Sequence, residues 1–311
     1  MSYAPFPINE DLTAVTLAYT NEAMIADSIM PRTPVGKQEF NYYAYDKRDR
    51  MTVPNTHVGR KSMPNEVSFG AEEHTAATQD YGLDDIIPRR DMENADERHD
   101  PRNYAVESIS ELLELDREQR VCDLVFDTAT YPEDRREELS ESDRWDDPDS
   151  KPLDQLMDAL DAPLMRPNVL VLGQRAWTHL SRHPQLVKAM HGTSGDAGRI
   201  TRDFLADLLE ISEVQVGAAW HNTASNPSRE PDIRRLWGPH ASLIYRNPAA
   251  TNRGGVTFGL SFQFGDRVAG DIEEPKIGLR GSVRVRVGWS LAEKVLAPDV
   301  GYHFHNVING S

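Results

Sequence analysis

Cysteine is almost absent from this sequence: Cys122 stands alone among 311 residues. A single cysteine excludes an intrachain disulfide and is typical of a reducing compartment, so we interpret Cys122 as a small buried hydrophobe. Long apolar runs are missing too. No stretch of roughly 18 apolar residues could span a bilayer, and no basic-then-apolar N-terminal segment resembles a signal peptide. The sequence therefore predicts a soluble, cytoplasmic protein.

Positive charge is scarce as well. The 34 Lys and Arg residues against 50 Asp and Glu give a net charge of −16 and a pI near 5.0. This balance argues against a protein that grips phosphate backbones, because nucleic acid would repel it on average. It suits a surface that keeps many copies in solution. With 39% hydrophobic residues the chain can still bury a core, in one large domain or in two to three smaller ones.

Motifs that carry chemistry are the third absence. No GxSxG occurs, and GGVTFG lacks the Lys-Ser or Lys-Thr of a phosphate loop. His179 and His183 lie four apart on a predicted helix, but HLSRH lacks the glutamate of the HExxH metalloprotease pattern, so we expect a surface pair. His303 and His305 share one face of a strand, where we expect a subunit contact or an exposed face. The sequence predicts no enzyme, no cofactor and no metal.

Regular patterns are present, and they follow one another in a clear order. Residues 1–35 are typical of an extended arm with one short helix, and residues 36–85 predict a long two-stranded ribbon. Helical spacing of apolar residues over 103–126 predicts a long central helix, which a charged, solvated loop follows. Residues 152–217 indicate a compact α/β unit, and the C-terminal part is rich in predicted strands.

The predicted central helix is amphipathic. Its apolar positions are Val106, Ile109, Leu112, Leu113, Val121 and Val125. Charged residues fill the remaining positions: Glu111, Glu114, Asp116, Arg117 and Arg120. We expect the first set to face the core and the second to decorate the solvated side.

The ribbon carries aromatic residues on both faces, since Phe40 and Tyr42 point one way and Tyr43 and Tyr45 the other. A two-stranded ribbon is marginal alone in water, and this one has too few apolar residues to form its own core. We therefore expect a neighbouring copy to cover the second face. The predicted contacts between copies are Phe40, Tyr42, Tyr43, Tyr45, Arg48, Arg50, Phe69, Arg284 and Arg286. The last two lie on the polar face of SVRVRV, which either pairs with acidic groups of a neighbour or faces solvent.

Six stretches suggest a family. They read EAMIADSIMPRTPVGKQEFNYYAYD, RPNVLVLGQRAWTHLSRHPQLVKAM, ITRDFLADLLEISEVQVGAAWHNTA, LWGPHASLIYRNP, VAGDIEEPKIGLRGSVRVRVGWS and LAPDVGYHFHNVI. In this order they resemble the major capsid proteins of tailed bacteriophages, the Hong Kong 97-type fold, and in particular those of Mu-like transposable phages. The resemblance runs essentially from end to end, and its motifs are structural rather than catalytic.

The resemblance implies an α+β Hong Kong 97-type capsid fold with an N-terminal arm, an extended β-ribbon loop, a long spine helix, a peripheral domain and an axial domain. The implied divisions are the arm at 1–35, the extended loop at 36–85, the peripheral domain at 86–190 with its spine helix at 103–126, the axial domain at 191–262, and the C-terminal strands of the peripheral domain at 263–311.

The implied function is structural. Copies would assemble as pentamers and hexamers into an icosahedral procapsid that matures around double-stranded DNA, without sequence-specific binding. Implied partners are a scaffolding protein and protease, a portal and a possible decoration protein. Because the sequence begins at the arm, we expect scaffolding from a separate protein. The expected location is the virion capsid, assembled in the host bacterial cytoplasm and without a membrane.

Two other classes stay open. An encapsulin-like nanocompartment shell protein would share the fold, and its particles would hold a cargo enzyme rather than DNA. A metal-dependent hydrolase would use His179, His183 or the acidic run at 146–149, and stoichiometric zinc in the purified protein would favour it.

Overall fold

The chain forms helices and mixed sheets in the order that its patterns suggest. The computed structural model describes residues 6–19, 21–45, 53–67, 71–96, 100–191, 198–224 and 230–309. The helices are α1 (Glu10–Ala18), α2 (Ala26–Ile29), α3 (Arg89–Glu93), α4 (Pro101–Phe126), α5 (Pro152–Asp161), α6 (Gln174–Leu180), α7 (Pro184–His191) and α8 (Arg202–Leu209). The strands are β1 (Arg32–Val35), β2 (Glu39–Tyr45), β3 (Ala71–Ala77), β4 (Gln79–Pro88), β5 (Arg136–Glu138), β6 (Val169–Gly173), β7 (Glu213–Gly217), β8 (Trp220–Asn222), β9 (Ile233–Arg235), β10 (Ala241–Ile244), β11 (Gly259–Glu274), β12 (Ser282–Val295) and β13 (Gly301–His305).

A four-stranded sheet in the order β1-β11-β12-β4 forms one half of the molecule. Its centre is the long antiparallel hairpin of β11 and β12. The alternation of SVRVRVGW places Val283, Val285 and Val287 on one face, and all three are buried, as predicted. Helix α4 packs against that face, where its apolar side chains meet the sheet in a shared core.

Helix α4 confirms the long central helix, with a start two residues earlier than predicted. Asp100 caps it by accepting a hydrogen bond from the Arg102 amide, and Pro101 occupies the first turn, where no intrahelical donor is needed. At 1.5 Å per residue its 26 residues span about 39 Å. The apolar stripe is buried as expected, except that Leu112 is 55% exposed.

A five-stranded sheet in the order β5-β13-β10-β6-β7 forms the other half. Strand β6, the apolar run VLVLG, is buried along its whole length, as predicted for a central strand. Helices α5 to α8 contribute side chains to the core on one face of this sheet. Its strands come from ranges assigned to both the peripheral and the axial domain, so the sheets divide the chain differently from the predicted boundaries.

The ribbon is shorter than predicted. Strands β2 and β3 pair antiparallel from Glu39 opposite Ala77 to Tyr45 opposite Ala71. The next segment, β4, leaves the ribbon and pairs with β12 along its full length. Residues 79–88 therefore belong to the four-stranded sheet, because β12 offers them a long hydrogen-bonding partner that β2 does not. Within the described ranges, no helix combines the length and apolar character that crossing a bilayer requires.

Candidate functional site

The N-terminal arm is fastened to α4 through a buried carboxylate. The Glu118 side chain accepts hydrogen bonds from the backbone amides of Ile25 and Ala26 at 2.8 Å each, and from the Trp237 indole at 2.6 Å. Glu118 is fully buried, and burial raises its pKa while the three donors act in the opposite direction. One side chain thus joins the arm, the long helix and the loop before β10.

Arg117, beside Glu118, is also buried. Its Nη1 lies 2.8 Å from Asp27 Oδ1, and its Nη2 donates to the Met30 carbonyl and the Ser261 hydroxyl at 3.0 and 3.1 Å. The sequence placed Arg117 among the solvated charges, and that prediction is wrong, because the arm folds over it. Burial lowers the pKa of Arg117, and neighbouring carboxylates oppose the shift.

A second tier of charges surrounds this pair. Arg32 of β1 donates to both oxygens of Glu114 at 2.8 Å, and Arg267 of β11 also pairs with Glu114. Burial would raise the pKa of Asp27, but Arg117 and Arg32 together lower it. We call this network the arm clamp. Its members are Asp27, Arg32, Glu114, Arg117, Glu118 and Arg267.

Two of the predicted contact aromatics pack on their own chain. Phe40 is 7% exposed, with its ring centroid 4.6 Å from that of Phe262, and Tyr42 stacks between Phe262 and His74. This ribbon face therefore packs on β11 of its own subunit. Tyr43, on the other face, is exposed.

The other ribbon residues of the predicted contact set are Tyr45, whose strand alone is described, and Arg48, Arg50 and Phe69, which lie outside the described residues. Contacts of the ribbon with a neighbour stay a prediction.

Arg284 and Arg286 have partners within the subunit. Arg286 donates twice to the Asp84 carboxylate, at 2.6 and 2.7 Å, and Arg284 bridges Asp84 and Glu274 at 3.0 and 2.8 Å. Hydrogen bonds from Arg286 lower the pKa of Asp84 in spite of partial burial. These arginines therefore join β4 to β12, and a role for them between subunits stays a prediction.

Some exposed apolar side chains were not predicted as contacts. Trp220 and Ile233 are each 52% exposed on the β8–β9 hairpin, where the Arg235 guanidinium lies 3.9 Å from the centre of the Trp220 ring. Leu279 is fully exposed between β11 and β12. Large exposed apolar groups mark interaction sites. Their sequence signal was their position near Asn, Pro and Gly residues, which favour turns, where core packing does not require large apolar groups.

The two histidines of HLSRH lie in different environments, and only one of them is where the sequence suggested. His183 is buried rather than on the surface. Its Nε2 lies 3.2 Å from the Ser150 hydroxyl and 3.0 Å from the Asp147 carbonyl, and its Nδ1 accepts from the Gln185 amide. Burial lowers its pKa. His179 is exposed, as expected.

His303 is fully buried, so the expected exposed face is wrong for this residue. Together with His305 and His240 it forms a cluster whose ligand atoms lie within 4.8 Å of one another, the one such His, Cys, Asp or Glu group in the described part of the chain. Burial lowers the pKa of His240 to about 4 and that of His303 to about 3, helped by the neighbouring imidazoles. His240 was not predicted, because only strand pairing brings it beside β13.

Cys122 is buried, as predicted, and its thiol lies 3.5 Å from the Leu236 carbonyl. Burial raises the pKa of this thiol, so the nucleophilic thiolate is suppressed.

Curated relatives match the chain over most or all of its length. It is 51% identical over 308 residues to the major capsid protein of Pseudomonas phage JBD67, and this match covers 99% of each chain. It is 27% identical over 248 residues to the major capsid protein of Burkholderia phage BcepMu, with 75% of each covered. No established family profile matches the chain.

Solved structures share the fold. A phage-related protein from Bordetella bronchiseptica superposes with a TM-score of 0.76 at 24% identity, with 96% of this chain and 97% of that chain covered. The capsid of cyanophage P-SCSP1u superposes with a TM-score of 0.57 at 8% identity, with 98% and 92% covered. At such identities the likeness shows the fold alone.

Proposed function

The chain belongs to the major capsid proteins of tailed bacteriophages, with the Hong Kong 97-type fold, and we propose how its surfaces build the shell. Its function is structural: copies self-assemble into the icosahedral capsid that encloses double-stranded phage DNA. The observation that carries this conclusion is the full-length match at 51% identity. A match from end to end includes the arm and the ribbon as well as the cores, and these are the segments with which a shell subunit reaches its neighbours.

The structural halves support a revised division into domains. We assign α4 and the four-stranded sheet to the peripheral domain, and α5 to α8 with the five-stranded sheet to the axial domain. The exposed β8–β9 hairpin, with Trp220 and Ile233, would then face the five-fold and six-fold axes. This assignment keeps each sheet inside one domain, which the predicted boundaries at residues 190 and 262 do not.

The ribbon would lie across a neighbouring subunit. Its inner face already packs on β11 through Phe40, so the outer face with Tyr43 is the one left for a second copy.

The net charge of −16 indirectly supports a shell that encloses DNA. A negative wall repels the packaged duplex and does not trap it.

The partners are those of a shell. We propose that a scaffolding protein and protease act before maturation, that a portal occupies one vertex, and that a decoration protein binds outside in some cases. The protein would assemble in the host cytoplasm and reside in the virion capsid.

The hydrolase alternative is weakened by His183, whose two ring nitrogens already bond to the loop at 147–150 and to Gln185. An encapsulin-like shell protein would share the fold, but the full-length match at 51% identity is to the major capsid protein of a phage. Neither is proposed as the function.

Electron microscopy of the expressed chain, alone and with the scaffolding protein of the same phage, tests the proposal. We expect closed icosahedral particles in at least one preparation. Particles from infected cells should contain double-stranded DNA. A cargo enzyme in place of DNA would favour the nanocompartment, and a chain that stays monomeric in both preparations would contradict a shell function.

A further inference from the structure

Three imidazoles converge at one end of the five-stranded sheet. Strands β10 and β13 pair antiparallel with Ala241 opposite Phe304 and Ser242 opposite His303, so His240 comes beside His305. The ring centroids of His240 and His305 are 4.4 Å apart, and His303 lies 5.8 and 6.0 Å from the two. Their ligand atoms lie within 4.8 Å of one another, although His240 lies far from the other two in the chain.

Two ring nitrogens of this cluster have unused lone pairs or protons. His303 pairs through Nδ1 with the Ser242 hydroxyl at 2.9 Å, which leaves its buried Nε2 without a hydrogen bond to any described residue. His305 Nδ1 is buried and likewise unbonded within the described ranges. A buried polar atom without a partner is destabilising, so each such atom in a folded protein requires a reason.

The walls of the cluster are aromatic. The Phe126 ring, at the end of α4, lies 5.4 Å from His240 and 5.9 Å from His303, and Tyr131 stacks on His303 at 5.2 Å. Such walls keep bulk water from the buried nitrogens. They also favour neutral imidazoles, and a neutral imidazole is the form that ligates metal ions.

We propose that His240, His303 and His305 bind a divalent transition-metal ion of the zinc class. Imidazole ligands suit zinc, copper and nickel and do not suit magnesium or calcium. Three protein nitrogens leave a fourth position of a tetrahedral ion for water or a further ligand. With Zn–N bonds of roughly 2.0–2.1 Å, tetrahedral ligands lie about 3.4 Å apart, so distances within the cluster, now up to 4.8 Å, have to shorten by up to about 1.4 Å.

The three ligands are not equivalent. His303 would use Nε2 while the Ser242 hydroxyl holds its Nδ1, which is the usual way in which an outer partner orients a ligating ring. His305 would use Nδ1. His240 already accepts a hydrogen bond at Nδ1 from the Asn306 amide at 3.1 Å, so its ligation requires a change of that bond or of its tautomer. We therefore expect His240 to contribute least.

The consequence for the subunit is a metal-dependent clasp between the start of β10 and the end of β13. It would stabilise the C-terminal end of the chain against the five-stranded sheet. This inference concerns the folded subunit and does not rest on shell assembly. It departs from the expectation from sequence that the chain holds no metal.

Metal binding by untagged, chelator-treated protein provides the test. Equilibrium dialysis with Zn²⁺ should give one bound ion per chain, and Co²⁺ should produce the visible absorption of a tetrahedral nitrogen site. His305→Gln and His303→Gln should each weaken binding at least tenfold, since loss of even an outer-shell partner costs 10–100-fold. His240→Gln should weaken it less. His179→Gln, which removes an exposed imidazole from α6, is the matched control and should leave binding unchanged.

Circular dichroism of each metal-free variant shows whether it folds. His303 is fully buried and its substitution can unfold the chain, so the partly exposed His305 decides the question in that case. Folded wild-type protein that binds no Zn²⁺ would overturn the proposal. So would equal losses in His305→Gln and His179→Gln, which would indicate surface chelation, or a thermal stabilisation by Mg²⁺ as large as that by Zn²⁺.

Discussion

The arm clamp and the ribbon both connect the N-terminal part of the chain to the rest of the subunit, but they are built in opposite ways. In the arm clamp, Arg117 and Glu118 are buried, and both Glu118 oxygens and both terminal Arg117 nitrogens have charged or hydrogen-bonding partners. The ribbon has only two strands, and the outer face that carries Tyr43 is exposed. Phe40 and Tyr42 pack it against Phe262 of the four-stranded sheet.

We infer from this difference that the clamp stabilises the subunit, whereas the ribbon is the segment available for contacts between subunits. A buried ion pair that loses one partner leaves an uncompensated charge, at a cost of about 3–5 kcal/mol. A two-stranded ribbon contributes little to the fold that carries it, because it is marginal alone in water. Changes in the clamp should therefore lower the free energy of unfolding, whereas changes in the ribbon should act on assembly.

The largest expected effect is on assembly, from shortening the ribbon. A deletion over 36–84 would also remove most of β4, so the sharper variant replaces residues 42–74 by Asn-Gly, a two-residue hairpin turn between the paired Asn41 and Thr75. We expect shell yield to fall at least 100-fold, since the outer aromatic face is gone. The melting temperature of the subunit should change by only a few degrees. Light scattering measures assembly and calorimetry measures stability.

Tyr43→Ser provides a milder companion change on the exposed face alone. If the shortened variant still forms closed particles at normal yield, the ribbon is not an assembly element. If it unfolds, the proposed separation between the two regions is wrong.

The largest expected effect on stability comes from Glu118→Gln. The amide keeps the shape of the carboxylate, but its NH₂ group must face one of the N–H donors of Ile25, Ala26 or Trp237. A buried donor without an acceptor costs about 1–3 kcal/mol, more for a group that was charged, so we expect a loss of about 3 kcal/mol in urea unfolding. Glu107→Gln makes the same chemical change on the exposed side of α4 and should cost under about 0.5 kcal/mol. Equal losses in both variants would remove the special role of the clamp.

Salt should act on assembly with a smaller effect. A net charge of −16 per subunit causes diffuse electrostatic repulsion between copies. Salt at 0.1 M screens this repulsion beyond about 10 Å. We expect purified subunits to assemble several-fold faster in moderate salt than in very low salt, as light scattering would report. Fastest assembly at the lowest salt would contradict this account.

Two double charge-reversal variants compare the arginines of β12 with a pair of arginines elsewhere on the subunit. Arg284→Glu with Arg286→Glu should impair assembly more than the same change at Arg135 and Arg136. Because Asp84 and Glu274 pair with the first two inside the subunit, assembly has to be compared per folded subunit. Identical behaviour of the two double variants would exclude a special role for the strand arginines.

The smallest effect is expected from Asp84→Asn, which weakens a partly exposed link between β4 and β12. Hydrogen bonds from Arg286 lower the pKa of Asp84, so the folded state favours the carboxylate. The stabilisation is complete above the ordinary pKa of an aspartate and is lost as pH falls through the lowered folded-state value. Wild type and variant should therefore differ slightly in melting temperature near pH 6 and converge near pH 2. A difference that grows on acidification would contradict this assignment.

Local periodicity predicted much of the fold. The helix at 103–126 and the buried face of Val283, Val285 and Val287 were confirmed, because spacings of 3.6 and 2 residues are properties of single segments. The same periodicity failed for Arg117 and Leu112. A helical wheel records which residues share a face, but it contains no information about an arm that covers a polar face.

By itself, the sequence determined the class of the protein: an acidic chain with one cysteine, an apolar pattern that alternates between strands and helices, and six stretches in the order of a phage capsid subunit. Only the tertiary structure decided which distant residues meet. The pairing of β4 with β12 ended the ribbon at Ala77, and the pairing of β10 with β13 brought His240 to His303 and His305. Strand pairing between segments far apart in the chain depends on the packing of the whole core, because a shift of register by one residue moves every side chain to the opposite face.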